Sequence, residues 1–480
     1  MRMMKLRYLI ILFCSAMLYV SCVDDDSFTT SSSYRLTFSA DTVKMDTVFS
    51  RIPTSTRTFW VYNKSGDGLR CTNVRLARGN QTGYRVNVDG TYLGQTTGFQ
   101  THNLEIRNKD SIRVFVELTS HENGILEPQK LEDDIVFTLE SGVEQKVALC
   151  AYTWDADILT DVVVKDEMVL DGEKPTIIYG MMRVEEGATL RVPAGKTIYF
   201  HGNAGIDVFG RLVTEGTAEA NVVLRGDRTD RMFDYLPYDM VSGQWQGIHF
   251  YESSYDNVLT YTDLHSTFHG IRCDSSDINR QKLTMSHTTI HNCQGSGLSA
   301  IHSKVSLLNC QLTNTLGPCL DILGGDIVMN HCTIAQFYPF DSNRGASLHF
   351  ASDSNNPLER MNCSNSIITG YAEDVIMGEQ ADSAAFNYDF TASVLRTPEI
   401  DDTLHFHQII WENVKDTVEV NGEKHFVLVD INNQRYDFHL SDRSTAIDKA
   451  DPLSALPTDR DGQSRDDKPD MGCYEWKSKE

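Results

Sequence analysis

The sequence predicts an all-β protein, a sandwich of strands followed by a solenoid of short parallel strands. Three observations carry this. Short runs alternating apolar and polar residues recur along the chain, and most end at Gly, Asn or Asp turns. One region repeats at a fixed spacing: Leu283, Val305 and Ile327 are 22 residues apart, as are Ile290, Leu312 and Ile334, and Leu298 and Leu320. Three columns with one period describe a coil of about 22 residues carrying three strands. The texture also changes after Asp155, from longer strands to runs of three to five residues.

Residues 34–154 read as the sandwich. Leu36–Phe38, Arg57–Tyr62, Tyr84–Val88, Ile112–Val116, Ile135–Leu139 and Val147–Leu149 are separated by turns such as Asn63–Gly68, Asp89-Gly90 and Ser141-Gly142. About seven such strands suggest an immunoglobulin-like β-sandwich. Cys71 and Cys150 are both present, but nothing in their spacing requires a bridge. No CxxC pair occurs among the eleven cysteines, so a zinc or redox motif has no support.

Residues 158–400 read as the solenoid. Gly187–Phe200, Gly205–Leu212 and Val222–Leu224 open it, and the 22-residue columns continue it. Strand alternation assigns faces. With Ile290, Leu312 and Ile334 inward, Thr288, Cys310 and Cys332 also point inward, as compact apolar fillers. His287, Asn309 and His331 form an outward column beside Thr289, Gln311 and Thr333. Thr284, Ser306, Val328, Ser299 and Asp321 face out on the other strands. The next coil is longer: Ile334 to Ile367 is 33 residues, which places an insertion between Tyr338 and Pro357. Residues 401–480 break the rhythm and read as the end and cap of the solenoid.

Several stretches carry resemblances. Gly187–Phe200, with Gly205–Leu212 and Val222–Leu224 after it, looks like the opening coils of right-handed parallel β-helix proteins of the pectate-lyase-like fold. Asp46–Phe49 and Lys109–Val116 resemble the Ig-like domain that precedes such helices in Bacteroidetes lipoproteins. Ser444–Pro452, Asp459–Arg465 and Pro469–Glu475 resemble the end signature of surface proteins with a choice-of-anchor Q region. Here Thr445, Lys449-Ala450, Met471 and Cys473 depart from that pattern. Arg2, Lys5 and Arg7 precede an apolar stretch, Tyr8–Val20, that ends at Ser21-Cys22. This resembles a lipoprotein signal peptide over residues 1–21, with Cys22 lipidated, although Tyr19 stands where a Leu is usual. Residues 22–33 form a linker whose Asp24, Asp25 and Asp26 resemble the signal that sends such lipoproteins to the outer face of the outer membrane. The resemblance implies a lipid anchor in that membrane and a cell-surface position.

The formal net charge of −24 has no long basic run against it, so a nucleic-acid partner is set aside. The expected partner beyond the membrane is a polysaccharide or a surface protein. Enzymes of the pectate-lyase-like class need clustered carboxylates on an outer face. The outward columns hold one, Asp321, so the sequence favours a non-catalytic binding role over a polysaccharide lyase or glycoside hydrolase. No catalytic residue or metal ligand is assigned. Ca²⁺ is the one ion the spacing suggests, at Asp459-Arg-Asp461-Gly462, but the bidentate Glu of a calcium loop is missing, and a turn in the cap is the plainer reading. Asp448 and Asp470 are expected to fasten the cap to backbone amides. The candidate ligand-binding residues are Phe233, Tyr235, Tyr238 and Trp245, in the long loop Arg228–Trp245, because aromatic rings suit the apolar faces of sugars. Packing of these rings against the helix flank is the competing expectation.

Overall fold

The computed structural model describes residues 27–415 and 420–477. Cys22 and Asp24, Asp25 and Asp26 lie outside the described residues. The chain divides after Trp154 into two compact units. Among the described residues the only helices are three short 3-10 turns, and none is long and apolar enough to cross a membrane.

The first unit has two five-stranded sheets. Alternation is visible in Arg57–Tyr62, where Phe59 and Val61 are buried and Trp60 is exposed. Val88 pairs with Thr91 across Asp89-Gly90, both in the left-handed region at φ 47° and 84°, the backbone a tight hairpin needs. Four strands were not evident from sequence: Thr42–Phe49, Leu69–Leu76, Thr91–Tyr92 and Gln100–Ile106. Gln100–Ile106 buries only Ile106 fully, so it shows no alternation. Thr42–Phe49 pairs in parallel with Glu144–Trp154. Cys71 and Cys150 are both free thiols.

In the second unit the strands stack into three parallel sheets of 11, 9 and 10 strands. Nine successive coils each add one strand to each sheet, so the unit is a parallel β-helix. The columns read from sequence hold: Leu283 pairs with Val305 and Val305 with Ile327, Ile290 with Leu312 and Leu312 with Ile334, and Leu298 with Leu320. All lie in one continuous apolar core with Cys310 and Cys332. One register differs by a residue. Ile334 pairs with Ile368, so the long coil steps by 34 residues rather than 33. Ile368 faces the coil interior, while Ile367 joins a separate apolar cluster outside it. Two adjacent isoleucines cannot be told apart by a count alone.

The bends between the third and first sheets explain the His287, Asn309 and His331 column. These residues and Asn365 have φ of 51°, 51°, 52° and 50°. Each is one residue in the left-handed region, which Asn and His enter more readily than most side chains. They turn the chain from one sheet to the next.

The C-terminal segment lies along the side of the solenoid rather than across its end. After the hairpin Phe426–Asp430 and Arg435–Leu440, the chain runs over the outward face of the first sheet. Ala335, Ile367 and Val394 on the sheet pack with Phe426, Phe438, Leu440, Met471 and Cys473. Polar contacts extend over several coils. Asn309 Nδ2 donates to the Thr458 carbonyl at 2.7 Å, the Cys473 amide to Thr333 Oγ1 at 3.1 Å, and the Gly472 amide to the Asn365 carbonyl at 2.8 Å. The two columns along the first sheet, His287–Asn309–His331 and Thr289–Gln311–Thr333, are therefore covered rather than facing solvent. His331 is fully buried, and Gln311 is only 7% exposed.

The fastening expected of Asp470 is present, since its Oδ1 accepts the Asp448 amide at 2.8 Å. Asp459 does more. One oxygen accepts the amides of Asp461 and Gln463 at 2.9 and 2.8 Å, and the other accepts that of Glu475 at 3.0 Å. Its carboxylate holds a turn.

Candidate functional site

Strand alternation on the first sheet sends Leu264 and Ile290 into the core and the residues on either side of each outward. Asp263 pairs with Thr289, and His265 with His291, in adjacent coils. Next along the same columns come Gln311 and Thr313. Opposite them the C-terminal segment supplies Tyr436, Asp437, His439, Arg460, Asp461 and Tyr474. Between the two sides lies a cleft of about 350 Å³.

The sheet side of the cleft carries a chain of charges. His265 Nδ1 lies 2.8 Å from Asp263 Oδ1, and its Nε2 lies 2.9 Å from Asp239 Oδ1. His291 Nε2 is 3.3 Å from the same Asp263 oxygen, and the two imidazoles stack with centroids 4.6 Å apart. Arg225 Nη2 stands 2.8 Å from Asp239. Burial opposes charge on His265, but the carboxylates of Asp263 and Asp239 outweigh it and raise its pKa to about 9. Burial likewise opposes ionisation of Asp263, and the two histidines reverse this and hold its carboxyl well below the ordinary range.

The other side has a second pair of carboxylates around one imidazole. His439 Nδ1 is 2.6 Å from Asp437 and its Nε2 is 2.9 Å from Asp461. Its ring packs on Tyr474 at 4.0 Å between centroids. Against partial burial, Asp461 and Asp437 raise the His439 pKa to about 8. His439 in turn lowers that of Asp461. Arg460 is anchored across the cleft, with Nη2 donating to Asn221 Oδ1 at 2.7 Å and Nε to Thr289 Oγ1 at 3.2 Å. His439 and Asp461 also line a larger groove of about 990 Å³ with Lys424, Arg443, Trp476 and Lys477.

The four aromatic residues proposed from sequence do not act together. Trp245 is 1% exposed, stacks on Phe200 at 4.0 Å between centroids and donates its Nε1 hydrogen to the His265 carbonyl at 2.8 Å. It is part of the core and offers no free face to a ligand. Tyr238 lies under the guanidinium of Arg228, 3.7 Å from the ring centroid. Phe233 and Tyr235 are exposed, at 55% and 51%, and stack on each other at 5.7 Å. The same loop contributes Asp239 to the cleft's charge chain. The histidines expected to be solvated are not: His287 and His331 contact Thr458 and the Gly472 carbonyl.

Sequence reasoning missed Asp263 and His265 because their coil is irregular, and it left His291 without a partner. Asp263 and Thr289 are paired neighbours 26 residues apart, outside the 22-residue columns. Asp321, the outward carboxylate expected from sequence, lies on the second sheet and is held by His349 Nδ1 at 2.8 Å.

No family model and no curated sequence matches the chain. Among solved structures, one similar chain is a family 123 glycoside hydrolase from Clostridium perfringens, described for glycolipid glycan hydrolysis. It is 6% identical at a TM-score of 0.18, over 28% of this chain and 30% of that one. A second is Dex49A from Penicillium minioluteum, 8% identical at a TM-score of 0.16, over 76% of this chain and 74% of that one. Scores this low establish no structural equivalence, so the site stands on its own geometry.

Proposed function

We propose that this chain is a surface lipoprotein, anchored in the outer membrane through Cys22, that binds a glycan without cleaving it. On this reading the first unit is an immunoglobulin-like sandwich and the second a right-handed parallel β-helix that carries the binding site. The carrying observation is that the cleft and the larger groove share His439 and Asp461. Together they combine ring faces at Tyr436 and Trp476 with hydrogen-bonding groups at Asp437, Arg460, Asp461 and Gln463. That mixture suits sugar rings, whose faces are apolar and whose edges are hydroxyls. Phe233 and Tyr235 offer a second pair of stacked rings.

The electrostatics favour binding over hydrolysis. A glycosidase needs one carboxyl kept protonated and a second left free as base or nucleophile. Here Asp263 and Asp461 are both shifted toward the ionised form by imidazoles that occupy them. The test is a glycan array with the full chain in detergent, followed by reducing-sugar and ultraviolet assays on every glycan retained. Retention without products, weakened at least tenfold by Asp461→Ala, is expected. Product formation identifies a hydrolase or lyase instead, and retention of no glycan ends the reading.

A further inference from the structure

We propose that Asp263, His265 and His291 form a site for one divalent transition-metal ion of the zinc class, with its open coordination position facing the cleft. The inference does not depend on what the cleft binds.

Three donor atoms converge. A carboxylate oxygen of Asp263 and one ring nitrogen each of His265 and His291 all lie within 4.8 Å of one another. The carboxylate oxygen is 2.8 Å from His265 Nδ1 and 3.3 Å from His291 Nε2. Around zinc, with bonds of about 2.0–2.1 Å, tetrahedral ligand atoms stand about 3.3 Å apart. Small side-chain adjustments therefore bring all three into bonding range.

The surroundings fit a metal site. The far nitrogen of His265 is held by Asp239 at 2.9 Å. A carboxylate behind a ligating imidazole fixes its ring and directs the other nitrogen at the ion. Asp239 is steadied in turn by Arg225. His265 lies behind the cleft wall, while Asp263 and His291 line the cleft itself. An ion bound there has protein on one side and an open approach on the other, the arrangement of a site that keeps one position for an outside ligand. Two imidazoles and one carboxylate select a borderline transition ion. Calcium takes six to eight oxygen ligands, so this donor set does not fit it. The hydrogen now shared between His265 Nδ1 and Asp263 leaves when the ion enters, and the released proton goes to buffer.

The probe is Co²⁺, added to the full chain in detergent after treatment with a chelator. One ion per chain is expected, with visible absorption of a four- or five-coordinate centre that Zn²⁺ displaces. His291→Ala should weaken binding at least tenfold, and Asp239→Asn by about 10–100-fold through the loss of orientation. Absence of stoichiometric binding overturns the proposal, as does binding that His291→Ala leaves unchanged. Because either variant can disturb the fold, the unsubstituted chain supplies an independent readout. Crystals soaked in Zn²⁺ should show an anomalous peak in bonding range of Asp263, His265 and His291, and a peak only elsewhere, or none, rejects the site.

Discussion

Tyr474 donates its hydroxyl hydrogen to Gln311 Oε1 at 2.9 Å, joining residues 163 positions apart. The bond ties the C-terminal segment to the middle of the solenoid, and both partners are buried. Tyr474→Phe should cost about 1–3 kcal/mol, because the Gln311 oxygen is left buried without its donor. Tyr474→Ala should cost about 3–5 kcal/mol, because the ring's volume is lost as well. Denaturant unfolding of the second unit, followed for both variants, checks the order.

The covering of the first sheet changes what a substitution at Gln311 does. Leu312→Asp places a carboxylate in the continuous core between Ile290 and Ile334 and should cost several kcal/mol. Gln311→Asp puts a carboxylate under Tyr474 at a tightly covered position and should cost about 1–3 kcal/mol. Val328, outward on the third sheet and partly exposed, is the control. Val328→Asp should cost about 0.5 kcal/mol or less. Equal midpoints for Gln311→Asp and Val328→Asp would show that the segment does not lie over the first sheet.

Acid should destabilise the segment's attachment. Burial, aided by Arg465, lowers the pKa of His331 to about 3. Burial and Arg460 lower that of His287 to about 4. Below an ordinary pKa of about 6.5 the unfolded chain takes up protons at these positions and the folded chain does not. Stability therefore falls as pH drops from about 6.5 toward 4 and 3, and the loss levels off below that window. His331→Asn keeps a residue type that already makes the same bend at Asn309 and Asn365. It should flatten the pH dependence of the unfolding midpoint between pH 7 and 4. An unchanged slope would place the acid sensitivity elsewhere.

The thiols should be almost silent in the native protein. Of the nine described cysteines, eight are buried and only Cys150 is partly exposed. Burial pushes Cys273, Cys293, Cys319 and Cys363 up to about 12, so access and thiolate are both withheld. A thiol reagent should label Cys150 first among them, and Cys310 and Cys332 only after denaturation. Rapid native labelling of Cys310 and Cys332 would contradict their place in the core. Mass spectrometry of labelled peptides reads this directly.

The anchor is tested in cells. Cys22→Ala should release the protein from membrane fractions. Replacing Asp24, Asp25 and Asp26 by Ala should keep it membrane-bound but remove its sensitivity to added protease on intact cells. Fractionation and protease shaving measure the two effects separately.

The sequence by itself determined the solenoid and its inward columns. Each coil repeats a short-range requirement, an apolar residue at every second position of a short strand, and stacking turns that requirement into a visible 22-residue period. Leu283–Val305–Ile327 and Cys310–Cys332 could be placed inside from spacing alone. Where the period is interrupted, the signal in the sequence is lost: the 34-residue step hid the choice between Ile367 and Ile368, and the 26-residue step hid Asp263 and His265. Only the tertiary structure decided which outward residues meet solvent. Contacts such as Tyr474–Gln311 and Arg460–Asn221 join positions 163 and 239 residues apart. No local pattern encodes such pairs, because each half is an ordinary polar residue until the other covers it. The cleft arises from that covering, since one wall comes from the coils and the other from the last part of the chain.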